Sequence, residues 1–226
     1  MKVDLIIPAY NEGERITTTL KSVREADWIE RIIVIDDGST DDTYTRAARY
    51  ADEMYRFHVN QGKAAAAVTG LTQSKGDYVM LLDADLGHTA PEAEKLLTPL
   101  MEGIADVTVG AFPQSQKGGG FGFMKRRACK VIRDRFGVSL TSPLSGQRAF
   151  HRKWKNVLSE DVRHCRYGFE MACNFDLLAN GAVLQEVKTN MSHNGYGRTV
   201  TGMLHRSRQW YEMERLLWQR TSGSLL

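Results

Sequence analysis

Apolar residues along this chain come in short blocks, each closed by a polar turn. Val3 to Ile7 is a β-favouring run ended by Pro8, and Arg31 to Ile35 is a second one, ended by Asp36-Asp37-Gly38-Ser39. Between them, Glu12 to Ala26 has helical composition, with Ile16, Leu20 and Val23 recurring on one face. This predicts a strand, helix, strand unit with parallel strands. The pattern continues with a helix over Asp41 to Ala51, a strand over Glu53 to His58 and an alanine-rich helix over Gly62 to Ser74. A strand over Asp77 to Leu82 then runs into Asp83-Ala84-Asp85, followed by a helix over Pro91 to Met101 and a strand over Val107 to Ala111. Such alternation predicts an α/β domain in which a mostly parallel central sheet carries helices on both faces, with ligands beyond the carboxyl ends of the strands. The polar clusters follow the strands.

The second half reads differently. Gln114 to Gly122 is polar and glycine-rich and predicts a loop. From Phe123 to Phe136, Met124, Ala128, Val131, Ile132 and Phe136 fall on one helical face, while Lys125, Arg126, Arg127, Lys130, Arg133 and Arg135 crowd the rest. That helix suits an anionic membrane surface, or a core contact with a solvated basic face. The residues from Gly195 onward read as a tail, helical from about Met203, whose Trp210, Tyr211, Leu216, Leu217 and Trp218 suit either an interface with lipid or a homodimer. The expected organisation is one domain over residues 1–194, with a first half over 1–111 and a second over 112–194, and a tail over 195–226.

Composition narrows the classes. At 226 residues, 42% hydrophobic and 25% charged, the chain can bury a full core. A net charge of +3 is too small to argue for nucleic acid. The three cysteines, Cys129, Cys165 and Cys173, lack CxxC spacing, which argues against a disulfide framework or structural zinc. The start of the chain, interrupted by Asp4 and Pro8, reads as neither signal peptide nor membrane span. A cytoplasmic protein is expected, at most peripheral at the inner face of the cell membrane.

Asp83 and Asp85 carry the most information. Side chains alternate along a strand, so at a strand end both carboxylates can serve one site and offer hard oxygen ligands to Mg²⁺ or Mn²⁺ beside a diphosphate. The same triplet in isolation also suits a solvated turn or helix cap. One carboxylate of Asp36-Asp37 suits a base or ribose, while Ser39 or Asp41 suits an N-cap. In Pro8-Ala9-Tyr10-Asn11-Glu12, the Tyr10 ring suits stacking on a base and Glu12 a base or ribose, with helix capping as the other reading.

These turns resemble glycosyltransferase family 2, whose PxYNE turn, DDGSxD turn and DxD are matched in order and spacing by Pro8 to Glu12, Asp36 to Asp41 and Asp83 to Asp85. Gly62-Lys63, Gly76-Asp77-Tyr78, Asp83 to Leu86 and Ser145-Gly146-Gln147-Arg148-Ala149-Phe150 look most like dolichol- or polyprenyl-phosphate sugar synthases. The resemblance implies the GT-A fold, with Pro8, Ala9, Tyr10, Glu12, Asp36, Asp37, Lys63, Asp83, Ala84 and Asp85 around a nucleotide-sugar donor. It also implies a divalent cation on Asp83 and Asp85. Where the synthases often carry Gln or Ser after DADL, this chain has Gly87, so a third side-chain ligand is either missing or supplied by His88. In related retaining transferases with phosphoglycerate acceptors a late histidine binds the metal, which makes His193 a candidate, against the reading of a structural or solvent-facing histidine.

Ser145, Gln147 and Arg148, with Arg198, His205 and Arg206 of the tail, are the candidates for an acceptor phosphate, although an arginine after a turn also suits a surface ion pair. His193, Asn194, Arg198, His205, Arg206 and Arg208 form a set able to close over a diphosphate or approach the metal. Tyr167-Gly168-Phe169-Glu170 resembles the family segment that brings a carboxylate to the acceptor, so Glu170 is a general base or a residue that orients a cation. Asp85, Glu170 and Arg148 are the catalytic candidates. The leading expectation is hexose transfer from a UDP- or GDP-sugar to a polyprenyl-phosphate-type lipid. A soluble phosphorylated acid or glycan acceptor, with inversion or retention, is the enzymatic alternative, and a nucleotide-sugar-binding or nucleotidyltransferase-like protein the other class.

Overall fold

The computed structural model describes residues 2–113, 121–158, 160–165, 168–193 and 214–215. Seven strands form one sheet in the order β3-β2-β1-β4-β6-β5-β7. These are β1 (Val3–Ala9), β2 (Arg31–Asp36), β3 (Glu53–Arg56), β4 (Tyr78–Leu81), β5 (Val107–Ala111), β6 (Arg148–His151) and β7 (Leu184–Lys188). Neighbours pair in parallel except at β6, which runs antiparallel to both β4 and β5. The mostly parallel α/β sheet is the one the alternation predicts.

Successive side chains of a strand point to opposite faces, so β1 feeds two cores. Ile6 joins Ile33, Ile35, Val79 and Leu81 under α3 (Lys63–Gln73), α5 (Phe121–Phe136) and α6 (Phe169–Ala179). Leu5 and Ile7 join Ile32, Val34 and Met80 under α1 (Gly13–Arg24) and the 3₁₀ stretch Gly87–Leu96. The run Ala64 to Ala67 is fully buried, which lets α3 lie close on the sheet.

Several elements depart from the expectation. The helix expected over Asp41 to Ala51 shrinks to α2 (Thr43–Ala47), because the residues before it bond to another turn. The one expected from Pro91 becomes 3₁₀ over Gly87–Leu96, then α4 (Thr98–Met101). Pro91 and Pro99 lack the N–H that a continuous α-helix needs. The short strands β6 and β7 were not expected.

The apolar face of α5 is spent on the core: Met124, Ala128, Val131 and Ile132 are buried there. That corrects the membrane-inserting reading of this face, and what α5 leaves outside is Phe123 with a basic surface. No helix among the described residues is long and apolar enough to cross a membrane. Of the tail, Glu214 and Arg215 are described and helical, and Glu214 pairs with Arg127 of α5 at 3.1 Å. Tyr167, Asn194, Arg198, His205, Arg206, Arg208 and the aromatic tail positions lie outside the described residues.

Candidate functional site

The carboxyl ends of β1, β2 and β4 bring three polar turns to one edge of the sheet. The first two are zipped together. The amides of Asn11, Glu12 and Gly13 donate to Ser39 Oγ (3.0 Å), Thr43 Oγ1 (2.8 Å) and Asp41 Oδ2 (3.1 Å). In return Asn11, held at φ +53°, accepts from the Thr40 amide at 2.9 Å. Ser39 therefore serves the first turn and does not cap α2, while Asp41 serves both, accepting the Thr43 amide at 3.0 Å. Tyr10 is left 44% exposed beside half-buried Pro8 and buried Ala9.

Both aspartates of the second turn are buried and engaged with protein. Asp36 accepts the Ser39 amide (2.9 Å) and pairs with Arg56 (3.1 Å). Asp37 takes the amides of Gln61 (2.7 Å) and Gly62 (2.9 Å) and the Asn60 carboxamide (2.8 Å). The sequence suggested a base or ribose for one of them; here they shape the turn that leads into α3 and so place Lys63 at its first residue. Gly38 closes the same turn at φ +74°, with the Asn60 amide nitrogen 2.8 Å from where a Cβ would stand.

The third turn carries Asp83-Ala84-Asp85. Ala84 points into the core, and its carbonyl accepts from Thr19 Oγ1 at 2.7 Å. The same hydroxyl accepts the Gly87 amide at 2.8 Å, so α1 fixes the loop by its backbone. Ala84 is turned inward, while the carboxylates of Asp83 and Asp85 converge with His193. Asp85 Oδ1 lies 2.9 Å from His193 Nδ1, and one ligand atom from each of Asp83, Asp85 and His193 falls within 4.8 Å of the others. His193 also leans on Phe112, with ring centroids 4.8 Å apart. His88, which the sequence offered as a further ligand, is not among the three residues of this cluster.

Lys63 Nζ bridges Asp83 Oδ1 (2.7 Å) and Glu170 Oε1 (2.9 Å), bringing together residues from α3, the β4 turn and α6. These charges set one another. Burial alone would lower Lys63, but the two carboxylates outweigh it and hold its ammonium firmly protonated. Burial pushes Asp83 up, and Lys63 outweighs that too, so the net shift is downward. The bond to Asp85 raises His193 against its own burial. Glu12 is pushed up to about 7, first by burial and then by Asp85, Asp83 and Asp41, with Arg15 at 2.7 Å opposing.

Arg148 is a correction to the sequence reading. It is wholly buried, donates to Ser145 O at 2.8 Å and reaches the Glu170 carbonyl at 3.4 Å, so it ties the loop before β6 to α6 and does not face an acceptor phosphate. Ser145, also buried, accepts the Gln147 amide at 3.3 Å. Gln147 is buried against Asp83 and not toward an acceptor. Sequence reasoning missed Asn60, whose signal was its place ahead of Gly62-Lys63. It missed Gly146 as well, where a Cβ would stand 2.6 Å from Lys63 Nζ.

Two carboxylates and an imidazole converging at this distance fit a divalent cation of the Mg²⁺ or Mn²⁺ kind. Comparison with solved structures agrees on the fold. Glucosyl-3-phosphoglycerate synthase from Mycobacterium tuberculosis, in complex with Mn²⁺, UDP and phosphoglyceric acid, superposes with a TM-score of 0.80 at 24% identity, over 97% of this chain and 78% of that one. The same enzyme with Mg²⁺ and UDP gives 0.79 at 25% identity, over 97% and 79%.

Among curated proteins, an uncharacterized protein of Methanocaldococcus jannaschii is 27% identical over 210 residues, 86% of this chain and 83% of that protein. Dolichol-phosphate mannosyltransferase of Pyrococcus furiosus is 31% identical over 117 residues, covering 49% of this chain but only 33% of the enzyme. Undecaprenyl-phosphate 4-deoxy-4-formamido-L-arabinose transferase of Proteus mirabilis is 26% identical over 203 residues, 85% of this chain and 60% of the enzyme. The chain thus spans less than two thirds of both named transferases. The family model for "Glycosyl transferase family 2" matches residues 4–174, which takes in all three turns, the strand that carries Arg148, and Glu170. The chain therefore belongs to glycosyltransferase family 2 and is a glycosyltransferase of the GT-A fold.

Proposed function

We propose that this enzyme transfers a hexose from a UDP- or GDP-sugar to an acceptor that presents a phosphate, in the first reading a polyprenyl-phosphate-type lipid. The observation that carries the donor side is the convergence of Asp83, Asp85 and His193 at the carboxyl edge of the sheet, the same edge that leaves Tyr10 exposed. Those three residues would hold a divalent cation, which when bound supplies positive charge to a departing nucleoside diphosphate. Tyr10 offers its ring to the base. Lys63 keeps a positive charge between the DxD and Glu170, and it holds Glu170 in place on the acceptor side.

Glu170 suits the removal of a proton from a hydroxyl acceptor. A phosphate acceptor, already ionised at neutral pH, needs no such base, and Glu170 then orients Lys63. The lipid reading draws on the named polyprenyl-phosphate relatives and on the exposed basic face of α5 with Phe123. A second reading, a soluble phosphorylated acid, is favoured by His193 beside Asp85, the position expected of a phosphoglycerate-type enzyme.

The donor test is thermal stability against UDP, GDP, ADP, CDP and dTDP, each with and without Mn²⁺, on the native chain and on Asp85→Ala. One nucleotide should raise Tm in a metal-dependent way that the variant loses. No shift with any of them would refute the donor site. For the acceptor, radiolabelled sugar extracted with solvent should follow polyprenyl phosphate into the lipid phase. Label that stays aqueous with every lipid phosphate, yet joins a phosphorylated acid, would replace the first reading with the second.

A further inference from the structure

Gln147 has no solvent-exposed surface, yet its carboxamide is turned toward the metal-binding turn. It meets Asp83 at two points: Oε1 accepts the Asp83 backbone amide at 2.9 Å, and Nε2 donates to Asp83 Oδ2 at 2.6 Å. The orientation of the amide is fixed by chemistry, because a backbone N–H can only donate and a carboxylate can only accept. One planar group carrying both an acceptor and a donor is what this double contact requires.

The backbone of Gln147 is pinned as well, since its carbonyl accepts the Gly110 amide at 2.8 Å and β6 begins at the next residue. The residue before it completes the seat. A Cβ on Gly146 would lie 3.0 Å from each carboxylate oxygen of Asp83 and 2.6 Å from Lys63 Nζ. Only glycine leaves Lys63 free to reach Asp83 Oδ1 while Gln147 holds Oδ2.

We infer that Gln147 is a positioning residue for Asp83: its carboxamide fixes the rotation of the carboxylate and so sets which oxygen the donor-bound cation meets. The inference rests on the metal-site reading above. Partners of this kind, one shell out from a ligand, are worth roughly tenfold to a hundredfold in metal affinity.

The test is Mn²⁺ titration of the full chain with UDP and, in parallel, with GDP, reading free Mn²⁺ by its electron paramagnetic resonance signal. Gln147→Met removes both contacts. Gln147→Glu keeps the acceptor for the Asp83 amide and places a carboxylate against Oδ2, so it decides the matter even if the Met variant folds poorly. Both should bind Mn²⁺ at least about tenfold more weakly than the native chain, Glu the worse of the two, and the bound-ion spectrum should change. Asp4→Asn, at the opposite edge of the sheet, should lower Tm and leave Mn²⁺ affinity and spectrum unchanged, which separates positioning from general destabilisation. Variants within twofold of the native affinity, with an unchanged spectrum, would overturn the role of Gln147 and leave the metal site standing. A native chain that takes up no Mn²⁺ with either nucleotide would overturn the metal site, and the role of Gln147 with it.

Discussion

Asp4 offers a stability prediction that can be worked from the structure. It lies in β1, fully buried, and every partner it has is a donor. Arg31 Nε donates to Oδ1 at 3.1 Å, while Oδ2 accepts from a terminal nitrogen of Arg31 and from the amides of Lys75 (2.6 Å) and Gly76 (2.8 Å). Replacing Asp4 with Asn puts an NH₂ group where at least one of these donors points, and removes the charge that faces Arg31. Breaking a buried pair costs about 3–5 kcal/mol. Arg31 keeps some solvent and its bond to Glu53, so the low end, about 3 kcal/mol, is expected. For a chain of this length that is a fall in Tm of roughly 6–12 °C.

The pH dependence has a definite sign. Burial pushes the Asp4 carboxyl up, but the Arg31 guanidinium and the two amides outweigh it and hold the carboxyl below its ordinary 3.8. An acid depressed in the folded state contributes stability that is complete above the ordinary value and is lost as pH falls through the folded one. The native chain should therefore lose its lead over Asp4→Asn below about pH 4. Calorimetry of both proteins at pH 7 and pH 3 is the assay. A Tm within about 2 °C of native at pH 7, or a gap that widens at pH 3, would refute the reasoning.

Two further outcomes follow from residues nearer the site. Gly38→Ala combines a φ of +74° with a Cβ 2.8 Å from the backbone of Val59 and Asn60, so it should cost more than about 2 kcal/mol, measured by urea unfolding, and weaken nucleotide binding by shifting the 60–62 turn. Cys173 is buried and its thiol is pushed up to about 12 by that burial, so native protein at pH 7.5 should leave it unalkylated by iodoacetamide, while denatured protein should label fully. Rapid native labelling there would mean α6 opens far more readily than its packing implies.

Much of this arrangement was legible in the sequence, because β1, β2, β4 and β5 are apolar runs closed by turn residues, and Tyr10, Asp83 and Asp85 sit in the turns after β1 and β4. What was hidden depended on distant partners. β6 is four residues, Arg148–His151, that read as a strand only once β4 and β5 flank them. An arginine beside a turn looks solvent-facing, and nothing local says that Ser145, Glu170 and Asn174 supply its oxygens. Asp37, just after β2, advertises ligand binding, yet it accepts the amides of Gln61 and Gly62, which periodicity cannot place. His193 meets Asp85 across 108 positions, and the family resemblance, not the pattern of residues, pointed to it.

The antiparallel strand also bears on how the chain is made. β5 touches β4 only through β6, and β6 is translated after β5. A nascent chain that has emerged only as far as residue 111 therefore lacks both strands, β6 and β7, that pair with β5. Synthesis proceeds at about 5–20 residues per second, so β5 waits a few seconds for the rest of its sheet. The seat of Asp83 closes in that same late step, because Gly146 and Gln147 arrive with β6. Asp83 thus gains its Gln147 partner only once β6 has been made, and a ribosome stalled before residue 147 would display Asp83 without it.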